Sequence, residues 1–266
     1  MKIYISVDIE GICGTTAWSE VSLGNAEYPE FQRQMTREVT AACEGAFEAG
    51  ATEILIKDAH ADGRNIIAAE LPRNTRLIRG WSRHPYMMMQ ELDSSFDAAL
   101  MLGYHSPGGS GGNPLAHTMS HSRISLVTIN GNLASEFLFN CYTATLEKVP
   151  VMFVSGDREL CEYAAEIVPG IGTVAVKTGA GASTTNMHPD TACESIKSTI
   201  GKTLSRPLPD HLPAMPEHFK VTIAYNHFEE AYKASFFPGA DLISARVVGF
   251  KSDSYFEVLR FFLFTL

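Results

Sequence analysis

The chain has no surplus of positive charge: 21 lysines and arginines face 30 aspartates and glutamates, a formal charge of −9. A nucleic-acid binder usually carries the opposite balance, so no nucleic-acid partner is expected. Nor does any apolar stretch reach the roughly 20 residues that a membrane-spanning helix needs, so no membrane partner is expected either. The first residue is followed by a single lysine and then directly by strand-like sequence, so no signal peptide is expected. Cysteine is sparse: Cys13, Cys43, Cys141, Cys161 and Cys193 make an odd set of five with no CxxC pair. That argues against a disulfide framework or a Cys-rich zinc site, and it fits a cytoplasmic location. No internal repeat is visible.

What is present is a globular balance, 45% hydrophobic and 19% charged residues over 266 positions. That length holds one large domain or two small ones with a sizeable core. Strand and helix patterns alternate. Lys2 to Val7, Glu53 to Lys57, Ala98 to Leu102, Ile124 to Ile129 and Val151 to Val154 read as strands, with Arg76 to Ile78 a short addition. Phe31, Met35, Val39, Ala42 and Ala46 recur at helical spacing and predict a helix from Pro29 to Ala49 stopped by Gly50. Met87 to Leu92 and Ser135 to Leu146 also read as helical. Such alternation predicts an α/β fold, a mostly parallel sheet wrapped by helices.

The texture changes near Thr178. Gly179-Ala180-Gly181-Ala182-Ser183 is small and flexible in character, and Pro207, Pro209, Pro213 and Pro216 make a proline-rich stretch after a helix from Pro189 to Leu204. Strands follow at Phe219 to Tyr225 and Leu242 to Val248, then a helix near Tyr255 to Phe264. The expected organisation is an α/β metal-binding catalytic domain over 1–177 and a smaller α+β lobe over 178–266 for oligomerisation and pocket shaping.

Chemistry gathers where strands end. Asp8 and Glu10 stand two apart after the first strand, and residues i and i+2 of a strand share a face. Converging buried carboxylates need compensation, and a divalent cation is the usual one. The second strand runs into Asp58-Ala59-His60-Ala61-Asp62-Gly63, oxygen and nitrogen donors of the mixture zinc accepts. The plainer alternative makes Asp58 and Asp62 turn formers and His60 a surface residue. Gly103-Tyr104-His105 follows the Ala98 strand, and Glu136 opens an apolar helix, where an anion also suits the helix dipole. His117 and His121 flank Thr118-Met119-Ser120 after a glycine-crowded loop, and either is placed for acid–base work beside a metal. Cys13 either lines such a site or is a small buried hydrophobe, the commoner fate of a free cysteine.

Taken in order, Ser6-Val7-Asp8-Ile9-Glu10-Gly11, Asp58-Ala59-His60, Leu102-Gly103-Tyr104-His105, Leu115-Ala116-His117-Thr118 and Glu136 are similar to the motifs of the D-aminopeptidase DppA family, the M55 metallopeptidases. The resemblance runs from residue 1 to about 177 and is weaker beyond. It implies a site for two zinc ions, with Asp8, Glu10, His60, His105 and Glu136 as ligands and Asp8 as the bridge. It also implies an essential histidine at His117, a ring-like homodecamer, and release of N-terminal D-residues from short peptides or aminoacyl amides. One departure stands out: the loop between His105 and His117 is about one residue longer than the family pattern and richer in glycine. His121 sits in Met-Ser-His-Ser and competes for the essential position. Counting back from Asn130 and Glu136 favours His117.

The expectation is a zinc-dependent aminopeptidase. Its rivals are a metallohydrolase of a non-peptide amide or of L-peptides, which differs only in the pocket, and a non-catalytic metal-dependent peptide-binding protein. The histidine beyond the ligand set argues against the last, since binding alone needs no proton-transfer group.

Overall fold

The structure is a computed structural model describing residues 1–206 and 212–266, so Pro207 and Pro209 lie outside the described residues. The chain runs β1 (Lys2–Val7), α1 (Trp18–Val21), α2 (Tyr28–Glu48), β2 (Glu53–Asp58), β3 (Thr75–Ile78) and β4 (Ala98–Tyr104). It continues with β5 (Ile124–Ile129), β6 (Asn132–Leu133), α3 (Glu136–Leu146), β7 (Val151–Asp157), α4 (Arg158–Ile167), β8 (Gly172–Ala180) and β9 (Ser183–Asn186). It closes with α5 (Pro189–Leu204), β10 (Phe219–Tyr225), α6 (Phe228–Ala234), β11 (Ala240–Ser244), β12 (Val247–Ser252) and α7 (Tyr255–Thr265).

Seven strands form one sheet in the order β3-β2-β1-β4-β7-β8-β9, parallel throughout except for the β8–β9 hairpin. Both faces are covered, which is why β4 and β7 are buried at every residue and read as unbroken apolar runs. One face packs Ile3, Ile5 and Val7 against Met35, Val39 and Ala42 of α2 and Ile196 and Ile200 of α5. The other packs Tyr4, Ala99 and Met101 against Phe137 and Cys141 of α3 and Leu160 and Ala164 of α4. The strand order reverses between β1 and β4, the switch point where an open α/β sheet leaves a crevice at its carboxyl edge.

A second, antiparallel sheet runs β11-β12-β10-β5-β6. Its inner face, with Val221, Ile223, Val248 and Phe250, packs with Phe261 and Phe262 of α7 and Leu138 and Phe139 of α3. Helix α3 thus feeds both cores. The two sheets do not part at residue 177: residues 124–133 belong to the antiparallel sheet, while β9 and α5 stay with the parallel one.

Several local expectations are corrected. Met87 to Leu92 is not a helix; only Met87–Met89 turns, as a single 3-10 turn. Leu242 to Val248 is not one strand but the end of β11, a turn, and the start of β12. The small-residue stretch after Thr178 is the turn of the β8–β9 hairpin, with Gly181 at φ 57°. Among the described residues no helix is long and apolar enough to cross a membrane.

Candidate metal centre

Two glycines let the ligand-bearing loops meet. Asp8 N donates to Leu102 O and Gly11 N to Gly103 O, each at 2.8 Å, stitching the chain after β1 to the end of β4. A Cβ at Gly11 would stand 1.7 Å from Tyr104 O, and one at Gly103, whose φ is +65°, 2.2 Å from Asp8 O. Only glycine permits this approach. It sets Asp8 beside His105.

The structure brings together the five expected ligands and His117. Asp8, Glu10 and His60 form one group of buried donor atoms, all within 4.8 Å of one another, and His105, His117 and Glu136 form a second on the same terms. Asp8 faces both. Its Oδ1 lies 3.3 Å from His60 Nδ1, and its Oδ2 lies 3.4 Å from His105 Nε2. Glu10 Oε2 is 2.8 Å from His60 Nδ1, Glu136 Oε2 is 3.6 Å from His105 Nε2, and Glu136 Oε1 is 3.8 Å from His117 Nε2.

Each imidazole is turned by a backbone carbonyl. His60 Nε2 donates to Val21 O (2.7 Å), His105 Nδ1 to Ser106 O (2.9 Å) and His117 Nδ1 to Leu115 O (3.0 Å). A carbonyl only accepts, so a neutral ring keeps its proton there and points its lone pair into the site. Carbonyl-oriented histidines are the usual support of metal ligands.

Whether these residues suit a metal ion is decided by what they leave unpaired. Glu10 Oε2 and His105 Nε2 are buried without a hydrogen-bond partner among the described residues. Glu10 Oε2 and His60 Nδ1 are close, yet their approach lacks hydrogen-bond geometry. Carboxylate oxygens and imidazole nitrogens left bare and convergent are what a borderline divalent ion such as zinc takes. The electrostatics agree. Burial disfavours charge on Asp8, but the His105 and His60 rings more than offset it and hold its carboxyl well below the usual range. Burial likewise opposes charge on His60 and His105, but the facing carboxylates win and raise both well above the ordinary imidazole value. The site demands positive charge at these nitrogens.

The plainer alternatives divide. Asp58 is a loop former: its carboxylate accepts from Asn65 N (2.5 Å), Asn65 Nδ2 (2.8 Å) and Ile66 N (2.7 Å). Asp62 is exposed and pairs with Arg64. His60, by contrast, is buried. Ser135 Oγ caps α3 by accepting from Leu138 N at 3.1 Å, which frees Glu136 to turn inward. Its Oε1 accepts from Met119 N at 2.7 Å and so ties down the loop that carries His117. His121 is exposed and stacks on Trp18 at 3.8 Å between ring centroids. Cys13 is a buried hydrophobe whose thiol donates to Met187 O at 3.1 Å.

Sequence reading missed the residues behind these donors. Lys177, on β8, is 2% exposed, and its ammonium donates to Glu10 O (2.5 Å), Thr15 O (2.7 Å) and Thr15 Oγ1 (2.7 Å). Asn113 Nδ2 donates to the same Glu10 carbonyl at 3.1 Å. Asp157, at the end of β7, accepts from Ser106 N (2.8 Å) and Ser106 Oγ (2.5 Å), anchoring the residue after His105. The one available signal was a lysine ending the apolar run Val174-Ala175-Val176.

A cavity of about 670 Å³ opens onto the donors, with Asp8, Glu10, His60, His117 and Glu136 in its lining and Trp18, Trp81, Arg83, Met87 and His121 among its walls. Fold and site together define a class: an α/β protein whose sheet edge gathers buried oxygen and nitrogen donors of the kind divalent metals take, at the foot of a cavity. More particularly, the chain belongs to the peptidase M55, D-aminopeptidase family, whose model matches residues 1–264. A D-aminopeptidase of Bacillus subtilis strain 168 is 37% identical over 180 residues, a segment covering 66% of this chain and 64% of that protein. The solved structure of the Zn-dependent D-aminopeptidase DppA from Bacillus subtilis, a self-compartmentalizing protease, superposes with a TM-score of 0.90 at 28% identity, covering 99% of this chain and 96% of that one.

Proposed function

We propose that the chain is a zinc-dependent aminopeptidase that removes N-terminal, D-configured residues from short peptides or aminoacyl amides. The observation that carries this reading is the pair of donor groups facing the two oxygens of Asp8, with Glu10 Oε2 and His105 Nε2 bare. Family membership and the zinc dependence of the similar solved structure support the choice of metal and reaction.

In this reading Asp8, Glu10 and His60 would hold one ion, and His105 and Glu136 with the other oxygen of Asp8 would hold a second. Bound zinc supplies Lewis acidity, polarising the scissile carbonyl and making an attacking water acidic enough to ionise near neutral pH. The chain's residues do the rest. His117 Nε2 points into the same space and either carries a proton from the attacking water to the leaving amine, donates to the developing oxyanion after taking that proton, or attacks directly. A second arrangement has its own support: His117 stands among the donors of the second group, so it competes for the role of ligand. Metal content of a His117 variant separates the two.

A panel of chromogenic aminoacyl amides, D and L, assayed with and without zinc, tests the function. Zinc-dependent release from the D series supports it. Release from the L series alone, or from non-peptide amides alone, moves the assignment to the rival hydrolases. Zinc and peptide binding without turnover leaves a metal-dependent binding protein.

We further propose a homo-oligomer, with the ring-like decamer as its form. Phe228 and Tyr232 on α6, Phe236 just after it, and Leu242 and Ile243 on the edge strand β11 are all exposed, and exposed apolar groups beside an open sheet edge mark interaction surfaces. Helix α7, the interface expected from the sequence, packs most of its apolar residues into the chain's own core and leaves Phe256 and Phe264 exposed. The division into a catalytic part over 1–177 and a lobe over 178–266 belongs to the same proposal, with residues 124–133 reassigned to the lobe's sheet and β9 and α5 to the catalytic part. A cytoplasmic location rests on the cysteines, all of them free.

A further inference from the structure

Backbone strain gathers around the cavity. Seven non-glycine residues among those described have positive φ, and four of them, Ala61 (45°), Arg83 (68°), Met87 (44°) and Met119 (65°), line this one space. Such conformations persist only where surrounding structure imposes them, and they concentrate at functional sites.

The surroundings of Arg83 supply that imposition. Lys57 is wholly buried, and its ammonium donates to Gly80 O (2.6 Å) and Asp58 O (2.8 Å) while standing 3.9 Å from the centre of the Trp81 ring. Trp81 Nε1 donates to Ala61 O at 2.7 Å, and Gln90 Oε1 accepts from Ser82 N at 2.9 Å. The backbone on the amino side of Arg83 is therefore pinned from β2 and from the turn beyond it. Arg83 itself is exposed. The cavity lining holds one other arginine, Arg123, and no lysine. Arg123 is already engaged, pairing with Glu230 Oε2 at 2.6 Å and donating to Leu266 O at 2.9 Å. Arg83 is thus the one cation in the lining that no carboxylate holds among the described residues, facing a space whose floor carries Asp8, Glu10 and Glu136.

We propose that Arg83 is the carboxylate anchor of the substrate site, so that the chain prefers short peptides with a free C-terminal carboxylate over the same peptides capped as amides. The inference rests on the aminopeptidase reading and deepens it. A short peptide is a zwitterion: with its amine end at the donor floor, its carboxylate reaches toward the cavity wall, where Arg83 offers the unengaged guanidinium. A guanidinium meets a carboxylate with two parallel hydrogen bonds, a fit a flexible ammonium does not match. A side chain presented from a pinned backbone loses less freedom on binding. One fixed anchor also selects for length, because only a short chain engages both ends at once.

The test compares D-alanylglycine with D-alanylglycinamide on the zinc-loaded protein, measuring kcat/KM and, by calorimetry, Kd. Wild-type protein is expected to favour the free acid by about 10-fold, the lower end for a charged hydrogen-bonded pair because the arginine sits at an open wall. Arg83→Asn, a residue that tolerates the left-handed backbone, should collapse that ratio toward unity, and Arg83→Glu should invert it. The preference should also shrink as salt is raised. A wild-type ratio near unity, or a ratio kept by Arg83→Asn, overturns the proposal. Binding of both compounds without cleavage overturns the aminopeptidase reading instead and leaves the Kd ratio to judge Arg83. Binding of neither overturns both.

Discussion

The imidazoles of His105 and His117 lie face to face, ring centroids 4.4 Å apart and planes 9° from parallel. Each turns Nε2 toward a different oxygen of Glu136, at 3.6 Å and 3.8 Å. The edge of Trp18 closes on His117 from another side, 5.4 Å between centroids. His117 is therefore held by a carbonyl, a stacked ring and Trp18, while the exposed His121 stacks on Trp18 and meets the His117 ring edge-on at 6.1 Å between centroids. His117→Ala is expected to lower turnover by roughly 10²-fold or more, the scale for losing a positioned acid–base group. Zinc content should stay near wild type, whereas His121→Ala should cost far less. Loss of about one zinc per chain in His117→Ala makes His117 a ligand. Abolished turnover in His121→Ala alone moves the reactive position four residues along.

Metal stoichiometry tests the bridge. Five donors exceed the four positions of one tetrahedral zinc, and the two oxygens of Asp8 face different histidines. Plasma emission analysis should find about two zinc ions per chain, on the count that five donors include one bridge. Asp8→Asn keeps the shape but replaces one charged oxygen by an amide, so both sites should weaken together. A wild-type chain with no zinc, active in chelator, defeats the site; Asp8→Asn with two tightly held ions defeats the bridge alone.

Lys177 offers a test of support from behind. Its ammonium closes the loop from Glu10 to Thr15 by three hydrogen bonds, at the expense of burying a cation, which pushes its pKa down to about 8. Lys177→Met keeps the bulk and removes the donors. Zinc affinity, read by competition with a chromogenic chelator, should fall about 10- to 100-fold, as when a supporting partner of a ligand is lost. Unchanged zinc affinity with only a lower melting temperature would reduce Lys177 to a packing role.

Much of this was legible in the sequence because the sheet is parallel. Strands covered on both faces, such as β4 and β7, announce themselves as apolar runs, and a donor just past such a run lies at the carboxyl edge where ligands bind. Asp8, Glu10, His60 and His105 were readable for that reason. The β8–β9 hairpin was not, because small residues at 179–183 resemble a flexible linker until the strands on either side pair. Met87 to Leu92 has helical periodicity, but Met87 and Glu91 take positive φ and break it. Lys177 had only its place at the end of an apolar run, and Arg83 had no local signal. One acts on a backbone carbonyl 167 residues away in sequence, and the other gains its setting only once Lys57 and Gln90 pin its neighbours.

The last prediction concerns a carboxyl group that the proposed chemistry does not use. Glu38, on α2, is 1% exposed; its Oε1 accepts from Cys13 N (2.9 Å) and Gln34 Nε2 (3.0 Å), while its Oε2 has no partner among the described residues. Burial raises its pKa from 4.5 to about 7, against the pull of those hydrogen bonds and of Lys177 and Arg37. Cys193 on α5 and Cys13 after β1 face it as neutral thiols, their own pKa values raised to about 11 and about 12. Between pH 4.5 and about 7 the folded chain therefore holds a proton at Glu38 that the unfolded chain has lost. Stability from this group is fully present below pH 4.5 and is lost as pH rises to about 7. Glu38→Gln keeps an acceptor for Cys13 N and Gln34 and cannot ionise. Measured by urea unfolding at a series of pH values, the variant should gain on wild type steadily across that window. The total should be on the order of 3 kcal/mol, from about 1.4 kcal/mol per pKa unit. A stability difference between the two proteins that stays flat from pH 4.5 to 7 would mean that Glu38 is ionised in the folded chain and that Lys177 compensates its charge.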